Sequence, residues 1–189
     1  MSGFLLDTNC ISEVVRVKPE PRVLEWMASA EEGLLYLSIL TLGEIGKGLA
    51  SLRQGKRRTQ LEAWLEVELQ ARFSGRIVPI DAAVADRWGL IAADAKRKGK
   101  APSTIDALLA ATALHYNLTI VSCNVSDFAN TQVPILNPWE ARPFRPVSAM
   151  GSSPCIAEPF PLRDQFNTKP RCSRAQRAKY RIPCIYTNS

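Results

Sequence analysis

Short apolar runs alternate with stretches of helical period from residue 3 to about residue 140, and this alternation narrows the fold more than any other feature. Gly3-Phe4-Leu5-Leu6-Asp7 reads as a buried strand that ends on a carboxylate. Leu34-Leu35-Tyr36-Leu37-Ser38 is a second strand. Residues 76–81 are a third, although Pro79 removes a ladder donor there. Leu118-Thr119-Ile120-Val121-Ser122 is a fourth, and Val133-Pro134-Ile135-Leu136 a short fifth.

The intervening stretches carry helix signals. Thr8 and Asn9 are placed to cap a helix through Cys10–Val15, and a second helix starts near Pro21. Thr41 precedes Glu44 by three residues, the spacing of a capping box. Leu61, Trp64, Leu65 and Leu69 recur at helical spacing within 57–73. Residues 82–98 form an amphipathic helix with a basic end, stopped by Gly99. Ser103 to Asp106 opens a helix, Ala107–Tyr116, that is apolar nearly all round and therefore buried. Strand–helix alternation of this kind predicts an α/β fold, a central parallel β-sheet of about five strands flanked by helices.

After Arg142 the alternation stops. Residues 143–189 hold seven of the 13 prolines and show no period of 2 or 3.6, which predicts an irregular, disordered tail. The domain division is therefore 1–142 and 143–189. Charge divides at the same place. Residues 1–142 contain 16 Lys+Arg and 16 Asp+Glu, while 143–189 contain 8 and 2, so the tail carries the whole net charge of +6. Almost any basic tail attracts RNA non-specifically, so the basic balance says little about function. Five cysteines, with no C-x-x-C pair, signal neither a disulfide framework nor a zinc site. No apolar run is long enough to cross a bilayer, and the N-terminus lacks the basic flank of a signal peptide. A cytoplasmic protein without membrane contact is expected.

Four acids stand where chemistry can use them. Asp7 ends the first strand, Glu44 lies near the start of its helix, Asp106 opens the buried helix and Asp127 follows the fourth strand. Ligands of open parallel sheets bind beyond the carboxyl ends of the strands. Four carboxylates brought together there repel one another unless a cation neutralises them. Oxygen donors without His or Cys point to Mg²⁺ or Mn²⁺, ions that activate water for in-line attack on a phosphodiester. Each acid also has a plain structural reading: Asp7 as a helix cap, Glu44 as the capping-box partner of Thr41, Asp106 as the partner of Ser103, and Asp127 as a turn residue. Their joint placement favours the metal site. Ser122 and Asn124 lie beside Asp127, placed to hold a metal-bound water or a phosphate, or to satisfy the turn. Lys47, one turn from Glu44, reads as a solvated lysine, His115 as a helix-end packing residue, and the four tryptophans as core.

Five stretches carry a family resemblance: Leu5-Leu6-Asp7-Thr8-Asn9-Cys10-Ile11-Ser12-Glu13, Leu37-Ser38-Ile39-Leu40-Thr41-Leu42-Gly43-Glu44-Ile45, Ile105 to Ala113, Val121-Ser122-Cys123-Asn124-Val125-Ser126-Asp127-Phe128, and Asn137-Pro138-Trp139. In this order and spacing, residues 1–142 resemble the PIN-domain toxins of bacterial toxin–antitoxin pairs, the VapC family and its FitB-like branch. The resemblance implies a PIN-like fold, a homodimer, Mg²⁺- or Mn²⁺-dependent cleavage of RNA, and inhibition by a cognate antitoxin. It gives metal-binding roles to Asp7, Glu44, Asp106 and Asp127, and supporting roles to Asn124 and Ser122. The chain departs from the pattern twice. Ser122-Cys123-Asn124 stands where the family usually has Thr-Arg-Asn, and Gly46, rather than a basic residue, follows Glu44-Ile45. Both departures bear on phosphate or antitoxin contacts more than on metal binding.

Two rival readings are weighed. A haloacid-dehalogenase-type phosphatase also has an Asp after its first strand and uses Mg²⁺. Its chemistry wants a second Asp two residues later, where this chain has Asn9. A PIN-like module that binds RNA or a partner without cutting is the non-enzymatic alternative; the intact four acids argue against it.

Overall fold

The computed structural model describes residues 3–99 and 102–140, so the tail predicted for 143–189 lies outside the described residues. Five short strands form one sheet: β1 (Phe4–Leu6), β2 (Leu35–Ser38), β3 (Ile77–Val78), β4 (Thr119–Val121) and β5 (Ile135–Leu136). Their order is β3-β2-β1-β4-β5, and every neighbouring pair is parallel. The helices are α1 (Thr8–Val15), α2 (Pro21–Ser29), α3 (Ile39–Ala50), α4 (Lys56–Ala63), α5 (Gln70–Arg72), α6 (Ala82–Arg97) and α7 (Thr104–His115).

Side chains alternate across a strand, so β1 feeds two cores. Leu6 packs with Ile11, Val23, Trp26 and Leu37 on one face, while Leu5 packs with Leu109, Ala110, Ile120 and Phe128 on the other. Phe4 meets Trp26 edge to face, with ring centroids 5.4 Å apart. The predicted all-apolar helix is α7, which buries Ala107, Leu109, Ala110, Ala111, Thr112 and Ala113.

The sequence reading needs three local corrections. Residues 57–73 are not one regular helix: α4 runs into a π-helical turn, Trp64–Leu69, before α5. Wider winding there turns both Trp64 and Leu69 into the core. The third strand is only Ile77–Val78, ending before Pro79, which has no N–H to continue the ladder. Helix α3 begins earlier than Thr41. Ser38 is its N-cap, accepting a hydrogen bond from the Leu40 N–H at 3.2 Å, and Thr41 lies buried inside the helix.

Gly3 marks the tightest approach at the entry to β1. A Cβ there would stand 2.7 Å from Tyr36 Cε2 and 2.9 Å from the backbone oxygen of Leu34. Gly3→Ala should therefore cost about 1–3 kcal/mol, as overpacking against backbone does. A thermal melt checks this; an unchanged midpoint would show that the entry yields more easily than its contacts suggest.

Candidate active site

The strand order places the site. From β1 the chain adds β2 and β3 on one side, then crosses to β4 and β5 on the other, so the topological switch falls between β1 and β4. Ligands of open α/β sheets bind outside the carboxyl ends of the strands at such a point. Asp7 follows β1 and Ser122 follows β4; the Asp7 N–H donates to the Val121 carbonyl at 3.1 Å.

Asp7 is 7% exposed. It is the N-cap of α1 in place of the predicted Thr8 or Asn9, and its Oδ1 accepts from the Thr8 N–H at 2.6 Å. Its Oδ2 accepts from the Ser122 hydroxyl at 2.6 Å and from Asn9 Nδ2 at 2.8 Å. Burial drives its pKa above the ordinary carboxylate value. The hydrogen bonds from Ser122 and Thr8 oppose that rise, and the charges of Glu44 and Asp106 add to it.

Ser122 is wholly buried, and its hydroxyl has no capacity left. It donates to Asp7 and accepts from Asn9 Nδ2 at 2.9 Å and from the Asn124 N–H at 3.0 Å. One donor and two lone pairs are all that a serine offers. Ser122 thus holds Asp7 from beneath and has no free position for a phosphate. Asn124 is exposed, and its side-chain oxygen accepts from the Cys123 thiol at 3.5 Å.

Glu44 is partly buried on α3, where its Oε2 accepts from the Thr8 hydroxyl at 2.6 Å. The capping-box reading of Thr41 and Glu44 fails because α3 begins at Ile39, putting Glu44 in the second turn. Thr41 instead donates to the Leu6 carbonyl at 3.3 Å, tying α3 to the end of β1. Asp106 keeps its structural role: its N–H donates to Ser103 Oγ at 3.2 Å, and its Oδ2 accepts from that hydroxyl at 2.6 Å. It also acts on Asp7 through its charge.

Asp127 is exposed in a 3₁₀ turn, Val125–Phe128, where Ser126 donates to its Oδ1 at 3.3 Å. Two residues escaped the sequence reading as site residues. Thr8 anchors Glu44, and Asn9 anchors both Asp7 and Ser122. Their signal was the Asp-Thr-Asn run at the strand end, which had been read as capping alone. Burial pushes both nearby thiols, Cys10 and Cys123, upward, so neither is a ready thiolate.

None of the ion pairs among the described residues involves Asp7, Glu44, Asp106 or Asp127. A buried carboxylate that feels two further acids, with no basic side chain among the described residues paired to any of them, suits a hard cation. Among the described residues, no group of three or more His, Cys, Asp or Glu side chains is gathered closely enough to hold a metal ion by itself. Mg²⁺ needs fewer: it keeps several waters and uses only one or two carboxylates directly. A buried acceptor, Asn9 Oδ1, has no hydrogen-bond partner beside this cluster. The donor set therefore fits a hydrated divalent ion.

A parallel five-stranded sheet with Asp7 at its switch point places the protein among open α/β folds with a candidate acidic site. The chain belongs to the PIN-domain family, whose family model matches residues 4–133. Over 136 residues it is 38% identical to Toxin FitB of Neisseria gonorrhoeae, covering 72% of this chain and 98% of that protein. It is 36% identical over 137 residues to VapC ribonuclease Y4jK of Sinorhizobium fredii, covering 72% and 98%. The fold is similar to the crystal structure of FitAcB from Neisseria gonorrhoeae, with a TM-score of 0.70 at 38% identity, over 73% of this chain and 99% of that one. A structure of FitAB bound to an IR36 DNA fragment is matched with the same TM-score, at 36% identity, over 74% and 97%. Among the described residues, no helix is long and apolar enough to cross a membrane.

Proposed function

We propose that the chain is a Mg²⁺- or Mn²⁺-dependent endoribonuclease, the toxin component of a type II toxin–antitoxin pair. One observation carries this reading: Asp7, buried at the switch point, feels the charges of Glu44 and Asp106 and has no cationic side chain as partner among the described residues. The relatives add to it. One is named as a ribonuclease and another as a toxin. The FitAB structure is a complex bound to DNA, which supports a protein antitoxin as this chain's partner. A homodimer is expected on the same likeness.

When bound, the ion supplies a water of lowered pKa and offsets the negative charge of a phosphoryl group under attack. The chain's own residues prepare that reaction. Ser122, Asn9 and the Thr8 N–H lock the Asp7 carboxylate, and the Thr8 hydroxyl aims Glu44. Asp106 is set by Ser103 at the start of α7. Asp127 and Asn124 are both exposed just beyond the end of β4, open to a substrate.

The phosphatase reading meets an obstacle in Asn9. Both N–H bonds of its amide are engaged, one by Asp7 and one by Ser122, so that position has no proton to exchange. The test is graded mutagenesis of the purified chain on structured RNA in Mg²⁺. Glu44→Gln and Asp106→Asn should each lower cleavage by about 100-fold or more, as loss of a metal ligand or its close support does. Asp127→Asn, at an exposed position, should fall less far. Equal activity in all three variants, or hydrolysis of small phosphate esters without RNA cleavage, would contradict the reading.

A further inference from the structure

Lone pairs on the Asp7 carboxylate are unevenly occupied. Oδ2 accepts two hydrogen bonds, from Ser122 and Asn9, while Oδ1 accepts one, from the Thr8 N–H. An ionised carboxylate offers about four lone-pair sites, roughly two on each oxygen. One position on Oδ1 is therefore left, and Oδ2 is closed. Asn9 is the reason: without its amide, Oδ2 would keep a site open, and a cation would choose between two oxygens.

The same side chain has an unfinished side. Asn9 Oδ1 is buried and has no donor within reach. Its orientation is fixed, because Nδ2 faces the acceptor-only Asp7 and the Ser122 oxygen. A buried carbonyl without a partner costs about 1–3 kcal/mol, so native structures rarely leave one unfilled. It is also an uncharged acceptor beside a carboxylate already burdened by Glu44 and Asp106. A neutral oxygen adds binding capacity without adding repulsion.

We propose that Asn9 is a positioning residue of this site: its amide N–H groups fix Oδ1 as the open oxygen of Asp7, and its carbonyl accepts a hydrogen bond from a water carried in with the cation. The inference rests on the metal-dependent reading above and adds a residue to it. A water on a divalent cation is a strong donor, which suits a buried acceptor.

The test uses the full chain, metal-free, titrated with Mn²⁺ and followed by the spin-resonance signal of the unbound ion. Asn9→Leu, close in size, should weaken Mn²⁺ binding by about 10-fold or more, in the range seen when outer supports of a metal site are lost. Its melting temperature in EDTA should fall, because Asp7 and Ser122 each lose a donor, so affinity is read at a temperature where the variant stays folded. A purely structural role would lower the melt and leave Mn²⁺ affinity intact. A second measurement needs no variant: the Asn9 side-chain amide resonance of the unmodified chain should shift on saturation with Mg²⁺. Unchanged Mn²⁺ affinity in Asn9→Leu, or an Asn9 amide unmoved by Mg²⁺, overturns the proposal. Absence of Mn²⁺ binding in the unmodified chain removes the metal-dependent reading itself, and this inference with it.

Discussion

Asp7→Asn should abolish metal-dependent RNA cleavage, by roughly 10³-fold or more, and yet melt no lower than the parent in EDTA at neutral pH. Losing the one buried carboxylate of the site removes several kcal/mol of cation-borne stabilisation, at about 1.4 kcal/mol per tenfold. Stability moves independently. Burial, followed by the charges of Glu44 and Asp106, raises the Asp7 pKa in the folded state. Below the ordinary carboxylate value both folded and unfolded chains hold the proton, and Asp7 contributes nothing. As pH rises from there through the raised folded value, the unfolded chain releases its proton first, so stability falls. Above that window the full cost of the buried charge stands. The Asn side chain escapes it, at the expense of one hydrogen bond, because its NH₂ must face a donor. Melts in EDTA across the acid range check this: any advantage of the variant should shrink as pH falls and vanish below the window. An advantage that grows on acidification would show that Asp7 is stabilised as a carboxylate, against the account.

Ser122→Ala has the largest expected cost to the fold. The hydroxyl joins Asp7, Asn9 and the Asn124 N–H at the end of β4, and its removal leaves each short of a partner. Unsatisfied buried groups cost about 1–3 kcal/mol apiece, and some relax toward solvent at the exposed Asn124. A net loss of about 3 kcal/mol lowers the melting temperature by about 10 °C in a domain of this size. The strongest influence holding the Asp7 pKa down is also lost, so it should rise further and Mn²⁺ should bind more weakly. Calorimetry and a Mn²⁺ titration on the same sample check both effects. A variant that melts like the parent and binds Mn²⁺ as tightly would show that Asp7 does not depend on Ser122.

The sheet was legible because its signals are redundant. β1 and β4 are each followed at once by a polar residue, Asp7 or Ser122, and β2 ends on Ser38. The family stretches fall on those ends, so Asp7 and Ser122 could be placed side by side at one sheet edge from the sequence. Helix starts were harder. Ser38 was read as the last strand residue, which handed the cap to Thr41, and the chance spacing of Thr41 and Glu44 then imitated a capping box. The π-helical turn at Trp64–Leu69 is set by packing of Trp64 and Leu69 against other elements, information a local period does not hold. Thr8 and Asn9 are harder to place, because Thr8 reaches Glu44, 36 residues on, and Asn9 reaches Ser122, 113 residues on, and local sequence does not show such pairings.

The site's organisation also clarifies the departures from the family pattern. Cys123 is exposed and its thiol donates to Asn124 Oδ1, and Gly46 lies on α3 beyond Glu44, where a Cβ would stand 3.8 Å from Leu65 Cδ2. Among the described hydrogen bonds to the Asp7 carboxylate, none comes from either position. We expect their effects in phosphate or antitoxin contacts more than in metal binding.

The central claim is that these carboxylates act through a divalent cation on RNA. It is tested most directly by one assay: the purified full chain, freed of any partner and stripped with EDTA, incubated with a structured RNA before and after Mg²⁺ is restored. The account predicts intact RNA in EDTA and endonucleolytic fragments once Mg²⁺ returns. Equal cleavage with and without the ion, abolished by none of the carboxylate substitutions, would contradict it.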